Sequence, residues 1–236
     1  MPSCCPKESC SNCCGLSCET KAVAAGGTGG GNEVTGKDRE RGIGSQMTVK
    51  EQCLALLRSV NRPGMENLIT YLAEESDYFT APASTVYHGS YEGGLADHSL
   101  AVYHDLLRLK DAFGLTVSDE SAIVCALLHD FCKVNFYRKS QRSRKNQATN
   151  QWEQVQVFEV DDRFPAGHGE KSVMLLMRFI WLSDEELMAI RWHMGGFDDA
   201  AAAYNGSRTL SNAMRRYPLV VALHMADLAA SYFDGK

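Results

Sequence analysis

His129 and Asp130 stand side by side at the end of an apolar run, Ala126-Leu127-Leu128-His129-Asp130-Phe131-Cys132-Lys133. An imidazole and a carboxylate buried together are costly unless something satisfies them. A divalent metal does so, because neutral histidine nitrogen and carboxylate oxygen are both good ligands for it. The rival reading is a solvated helix face, and the doublet alone does not separate the two. The rest of the chain adds an ordered series: His98 upstream, then His168, His193 and Asp227 downstream.

Each member of the series also has a bland reading. His168 lies in the Gly-rich stretch Gly167-His168-Gly169, where a solvated surface histidine is common. His193, in Trp192-His193-Met194-Gly195-Gly196, suits the C-terminus of a helix, whose dipole favours its charge. Asp227 sits between Ala226 and Leu228 in an apolar stretch, which favours a satisfied buried carboxylate over a plain polar residue. His224, one turn earlier, reads equally as a residue that orients a ligand or contacts substrate and as a core histidine. His88 and His104 read as structural or exposed. Lys171 and Arg191 lie near the series and suit either phosphate binding or simple solvation.

The elements that must position these residues are mostly helical. The 236 residues suffice for one substantial domain and an appendage. With 44% apolar and 22% charged residues, the composition is that of an ordinary soluble globular protein. A net charge of −5 excludes a general attraction to nucleic acid. No apolar run approaches the ~20 residues of a membrane span. The N-terminus lacks the basic-then-apolar pattern of an export signal. These features give the expectation of a cytoplasmic protein that meets no membrane.

Residues 1–46 read as a disordered Cys/Gly-rich tail, with Met47 a candidate true start. Six of the nine cysteines fall in the first 18 residues, and residues 26–31 are a glycine tract. Cys10 and Cys13 have ligand-like spacing, but no second pair stands at a zinc-finger distance. Cys53, Cys125 and Cys132 read as small buried hydrophobes.

From residue 47 the apolar spacing predicts helices over 49–60, 65–75, 95–113, 120–131, 169–181, 184–193, 210–216 and 218–233. Ser118 is a candidate N-cap, Ser183 opens a capping box with Glu186, and Pro218 suits a first turn. Residues 136–144 and 151–160 break the pattern. They are richer in β-branched and aromatic residues around a turn-like 146–150, which predicts a β-hairpin flap inserted over about 134–163. The flap carries Arg138, Lys139, Arg142, Arg144 and Lys145 beside Phe136, Tyr137 and Trp152. Such a patch suits a nucleotide or nucleic-acid backbone, or is merely a solvated hairpin.

The order His…His-Asp…His…His…Asp on a helical chain resembles the HD-domain metal-dependent phosphohydrolases, over about residues 93–230. Gly93-Gly94-Leu95-Ala96-Asp97-His98-Ser99-Leu100 resembles the entry to the HD module of bacterial 3′–5′ exoribonucleases. The run 126–133 resembles the family's signature around its His-Asp doublet and lysine, with Cys132 in place of the usual glycine before Lys133. The resemblance implies an all-α HD-domain bundle over 47–236. It implies that His98, His129, Asp130 and Asp227 hold one metal and that His168 and His193 complete a binuclear site. Asp130 would then bridge the ions as a catalytic residue, and Lys133 would meet the substrate phosphate.

The physics agrees with that implication. A metal lowers the pKa of bound water toward ~7, and two metals about 4 Å apart clamp nucleophile and phosphoryl oxygens together. Six N/O ligands without thiolate suit two divalent ions drawn from Mn, Fe, Co, Ni or Zn. Lys133, four residues after His129, projects from nearly the same face if the helix persists. The expected function is hydrolysis of a phosphoester in a nucleotide or single-stranded nucleic acid, with Lys133, Lys171, Arg138 and Arg144 binding substrate. The alternatives are an HD-type di-iron oxygenase and a non-catalytic nucleic-acid-binding module.

Overall fold

The computed structural model describes residues 47–86 and 89–234. The predicted tail and His88 lie outside the described residues.

Local sequence explains where the helices begin. Thr48 and Glu51 form a reciprocal capping box at the start of α1, Val49–Arg58. After Gly64 the chain enters α2, Met65–Thr70, which widens into a π turn over Tyr71–Glu75. Helix α3, Gly94–Phe113, is the longest and closes on Gly114 in the left-handed region. Ser118 caps α4, Asp119–Leu128, as its sequence position predicts. The hairpin follows as β1, Tyr137–Lys145, and β2, Trp152–Val160, antiparallel with Tyr137 opposite Val160 at the stem.

Helix α5 is His168–Leu176. Helix α6, Asp184–Arg191, opens with the Ser183/Glu186 capping box. Two further helices, α7 (Asp199–Ala202) and α8 (Gly206–Arg216), lead to α9, Pro218–Ala229, whose proline occupies the first turn. Among the described residues, no helix is long and apolar enough to cross a membrane.

The molecule is mostly helical with one two-stranded sheet, so the expected inserted hairpin is present. Helix α3 packs against α4 and α9, and α6 packs against both of these. Helices α4 and α9 are apolar nearly all round because they lie at the centre. Leu127, Leu128, Leu219 and Leu223 are fully buried there. Each such leucine contributes about 1.5–3 kcal/mol over an exposed one.

Several helix ends differ from the sequence expectation. Helix α5 stops at Leu176 rather than near Trp181, and α8 starts earlier than predicted because Asn205 turns the chain in the left-handed region. Helix α4 stops at Leu128 and α6 at Arg191, each just short of a histidine of the series. Lys133 is therefore not one helical turn beyond His129, as a continuing helix would place it. It ends a separate 3-10 turn, Phe131–Lys133.

Candidate metal centre and its cavity

The two early helix ends explain how the histidines are aimed. The last carbonyls of a helix lack intrahelical partners. His129 Nδ1–H donates to the Ala126 carbonyl at 2.8 Å, and His193 Nδ1–H donates to the Ile190 carbonyl at 2.7 Å. A carbonyl only accepts, so each Nδ1 carries the proton. In a neutral ring the lone pair is then on Nε2. Both Nε2 atoms are buried without a hydrogen-bond partner. A buried polar atom in that state calls for an explanation, and a coordinated cation is the one its chemistry suits.

Asp130 stands at the centre. Its backbone, at φ −95° and ψ 24°, occupies the sparsely populated bridge region that lets the chain leave α4 sharply. Cys132 does not prevent this turn, since its backbone is not left-handed and the Lys133 N–H donates to the Asp130 carbonyl at 2.9 Å. The two carboxylate oxygens of Asp130 face different partners. Oδ2 lies 3.4 Å from His129 Nε2 and 3.8 Å from His98 Nε2. Oδ1 lies 2.8 Å from His168 Nε2 and 3.6 Å from His193 Nε2. Across the cluster, Asp227 Oδ1 on α9 is 3.1 Å from His98 Nε2 on α3. The structure thus gathers all six residues of the series.

These six form three overlapping triads with ligand atoms close enough to share one cation each: His98/His129/Asp130, His129/His193/Asp227 and Asp130/His168/His193. The buried Nε2 atoms of His129 and His193, set among carboxylates, fit a divalent metal. The charges adapt to one another. Burial alone would raise the Asp130 pKa, but Lys133, His129 and His168 outweigh it and hold the carboxyl well below its usual range. Asp227 is likewise held low, against burial, by His98, His129 and His193. Burial opposes charge on His168, yet its bonds to Asp130 and Cys132 hold its pKa up at about 9.

That shift has a measurable consequence. Charging of His168 stabilises the metal-free fold fully below the ordinary imidazole value of 6.5, and the contribution is lost as pH rises through about 9. A metal using His168 must displace its proton. Manganese affinity measured by calorimetry is therefore expected to rise by up to about tenfold per pH unit between roughly pH 7 and 9, with proton release. A flat profile without proton release would contradict this assignment.

Lys133 Nζ donates to Asp130 Oδ2 at 2.6 Å and lines a cavity of about 570 Å³ above the cluster. Asp130, His168 and Asp227 face into this cavity. Tyr137, Met194, Phe197 and Tyr232 contribute to its walls. Tyr137 is one of the flap aromatics noted in the sequence, whereas Met194, Phe197 and Tyr232 carry no sequence signal, since isolated apolar residues in short turns and helix ends resemble ordinary surface residues.

His224, open between two readings in the sequence, also lines the cavity, and its Nδ1–H donates to the His193 carbonyl at 2.6 Å. Gly195, at φ +54°, is required beside it, because a Cβ there would collide with the His224 ring. Cys132 is buried, as expected, but its Sγ approaches His168 Nδ1 at 3.3 Å, so it is more than a packing group.

Other predicted substrate residues lie elsewhere. Lys171 is buried and bonded to Asp162, and Arg191 pairs with Glu170 and Asp198. Arg138 and Arg144 lie on the exposed strand β1, away from the cavity lining, with Arg138 paired to Glu159. His104 is exposed, as expected.

A family model for the HD domain matches residues 95–228, more than half of the chain, and the chain belongs to the HD domain family. Over 64 residues it is 41% identical to the dihydroneopterin 2′,3′-cyclic phosphate phosphodiesterase of Methanocaldococcus jannaschii. That stretch covers 25% of this chain and 26% of the relative, so the match spans about a quarter of the relative's length. No solved structure gives a significant match.

Proposed function

We propose that this chain is a metal-dependent phosphohydrolase acting on a nucleotide-type phosphoester. Membership of the HD family and the phosphodiesterase relative support that class. The observation that carries the reading is the divided environment of Asp130, with one oxygen toward His98 and His129 and the other toward His168 and His193. His98, His129, Asp130 and Asp227 would hold one ion, and Asp130, His168 and His193 a second. Bound metal supplies a Lewis acid that activates water and takes up phosphoryl charge.

The chain's own groups do the rest. His129 and His193 keep their Nε2 lone pairs aimed inward through carbonyl bonds that fix the tautomer. Lys133 is the one lysine at the cavity floor among the described residues. With Asp130 engaged in holding a metal, the Lys133 ammonium, which lines the cavity, would be placed to meet a phosphoryl oxygen. The aromatic wall offers a flat organic group a low-dielectric seat.

Cavity size favours a nucleotide-sized ligand, within the range of about 300–1,000 Å³ for small-molecule sites. The basic flap favours a strand less than its sequence suggests. Arg138 and Arg142 share Glu159, and Lys139 pairs with Glu92. The finer resemblance to exoribonuclease modules remains a reading of the 93–100 motif.

The test is a screen of protein reloaded with Mn, Fe, Co, Ni or Zn against nucleotides, cyclic nucleotides and short single-stranded oligonucleotides, with Asp130→Ala as control. Turnover of nucleotides above oligonucleotides is expected. Cleavage of no phosphoester by any metal form would remove the proposal.

A further inference from the structure

We propose that Lys171 is a positioning residue that latches the stem of the hairpin to α5 and so holds part of the cavity wall against the metal cluster. Its kinetic consequence rests on the phosphohydrolase reading, whereas the latch itself does not. Lys171 is only 4% exposed. Its Nζ lies 2.6 Å from both carboxylate oxygens of Asp162 and 4.7 Å from the centre of the Phe136 ring. Phe136 precedes β1 and Asp162 follows β2, so one ammonium grips the hairpin where it leaves the body and where it returns. Between these two grips, the Asp161 N–H donates to the Phe136 carbonyl at 2.8 Å and closes the stem.

The next register pair, Tyr137 opposite Val160, lines the cavity. On the helix side, Lys171 stands three residues after His168, which bonds Asp130 at 2.8 Å. A single turn of α5 therefore runs from the cluster to the latch. Gly169, inside that turn, lets α5 approach so closely that a Cβ would collide with the Arg191 carbonyl. The turn is thus seated against the end of α6, near His193.

On the entry side the Asn135 N–H donates to Asp77 Oδ1 at 2.6 Å, which leaves the returning strand to Lys171. The tethers beyond the stem are weaker. Lys139 pairs with Glu92 and Arg178 lies over Phe164, both at exposed positions where such contacts contribute little. Beyond its stem the hairpin is largely exposed. A lysine is seldom buried unless its charge is paired, and here the pairing spends it on the hairpin rather than on substrate.

Lys171→Met and Asp162→Asn break the latch from opposite sides, and Lys171→Arg restores a cation. Asp162 is at the surface, so Asp162→Asn carries the test even if Lys171→Met fails to fold. Limited trypsin digestion reads opening of the hairpin through cleavage within 138–145. The expected result is cleavage about tenfold faster in both breaking variants, with Lys171→Arg near wild type. Manganese stoichiometry is expected to be unchanged. On any nucleotide the screen identifies, KM is expected to rise more than kcat falls.

Unchanged trypsin cleavage in Asp162→Asn, or equal losses of manganese and cleavage resistance, would overturn the latch. Digestion and metal loading need no substrate. Faster cleavage in a protein that hydrolyses nothing would therefore support the latch while removing the functional reading.

Discussion

Asp130→Asn is expected to reduce phosphoester turnover by about a thousandfold or more while leaving the helical fold in place. The side chain keeps its shape, but it loses the charge that His98, His129, His168, His193 and Lys133 all face. Asparagine offers one carbonyl oxygen and an amide that donates, so it cannot present an anionic oxygen to each half of the cluster. Lys133 loses its carboxylate partner but lines the cavity, where water can reach it, which limits the structural cost. Circular dichroism would establish the fold, and turnover of the best substrate from the screen would establish the effect. Activity within tenfold of wild type would remove Asp130 from the centre of the mechanism.

The second large effect is on stability. Arg62→Ala is expected to cost about 3 kcal/mol, because it leaves a buried carboxylate without its cation. Arg62 holds both oxygens of Glu186, at 3.0 and 2.9 Å, and Glu186 is 1% exposed. Glu186 also completes the capping box of α6, the helix whose end aims His193. Burial would raise the Glu186 pKa, but Arg62 and the Ser183 N–H hold it below its usual 4.5.

The pair's contribution is therefore present above that ordinary value and is lost as pH falls through the lower folded one. Urea denaturation should show a smaller acid-induced loss of stability in Arg62→Ala than in wild type. A cost under about 1 kcal/mol near neutral pH would mean that the Ser183 contacts alone satisfy Glu186.

The contrast between these two sites shows what the sequence can carry. Metal-site chemistry is restricted to a few residue types, so His98, His129, Asp130, His168, His193 and Asp227 stand out in order although they come from scattered elements. Helix starts with a side-chain cap were equally legible, because caps such as Ser118 and Ser183 act within three residues of themselves, whereas α8, entered through left-handed Asn205, was not. Nor were the ends of α4 and α6. The apolar period runs on past Leu128 and Arg191, where His129 and His193 instead turn to the carbonyls of Ala126 and Ile190.

Long-range charge pairs left no trace either. Arg62 and Glu186 are 124 positions apart. The partner of Lys171 is only nine positions away, but it lies across the return of the hairpin. Lys171 reads in the sequence as a phosphate ligand or a solvated charge, and neither reading signals its burial against Asp162 and Phe136.

The central claim is that one carboxylate, Asp130, is shared between two cation positions. Manganese titration followed by electron paramagnetic resonance tests it most directly. The account predicts two bound ions per chain with a spin-coupled spectrum, and loss of the coupling in Asp130→Asn. A single uncoupled ion at saturation, or coupling that survives in Asp130→Asn, would contradict it.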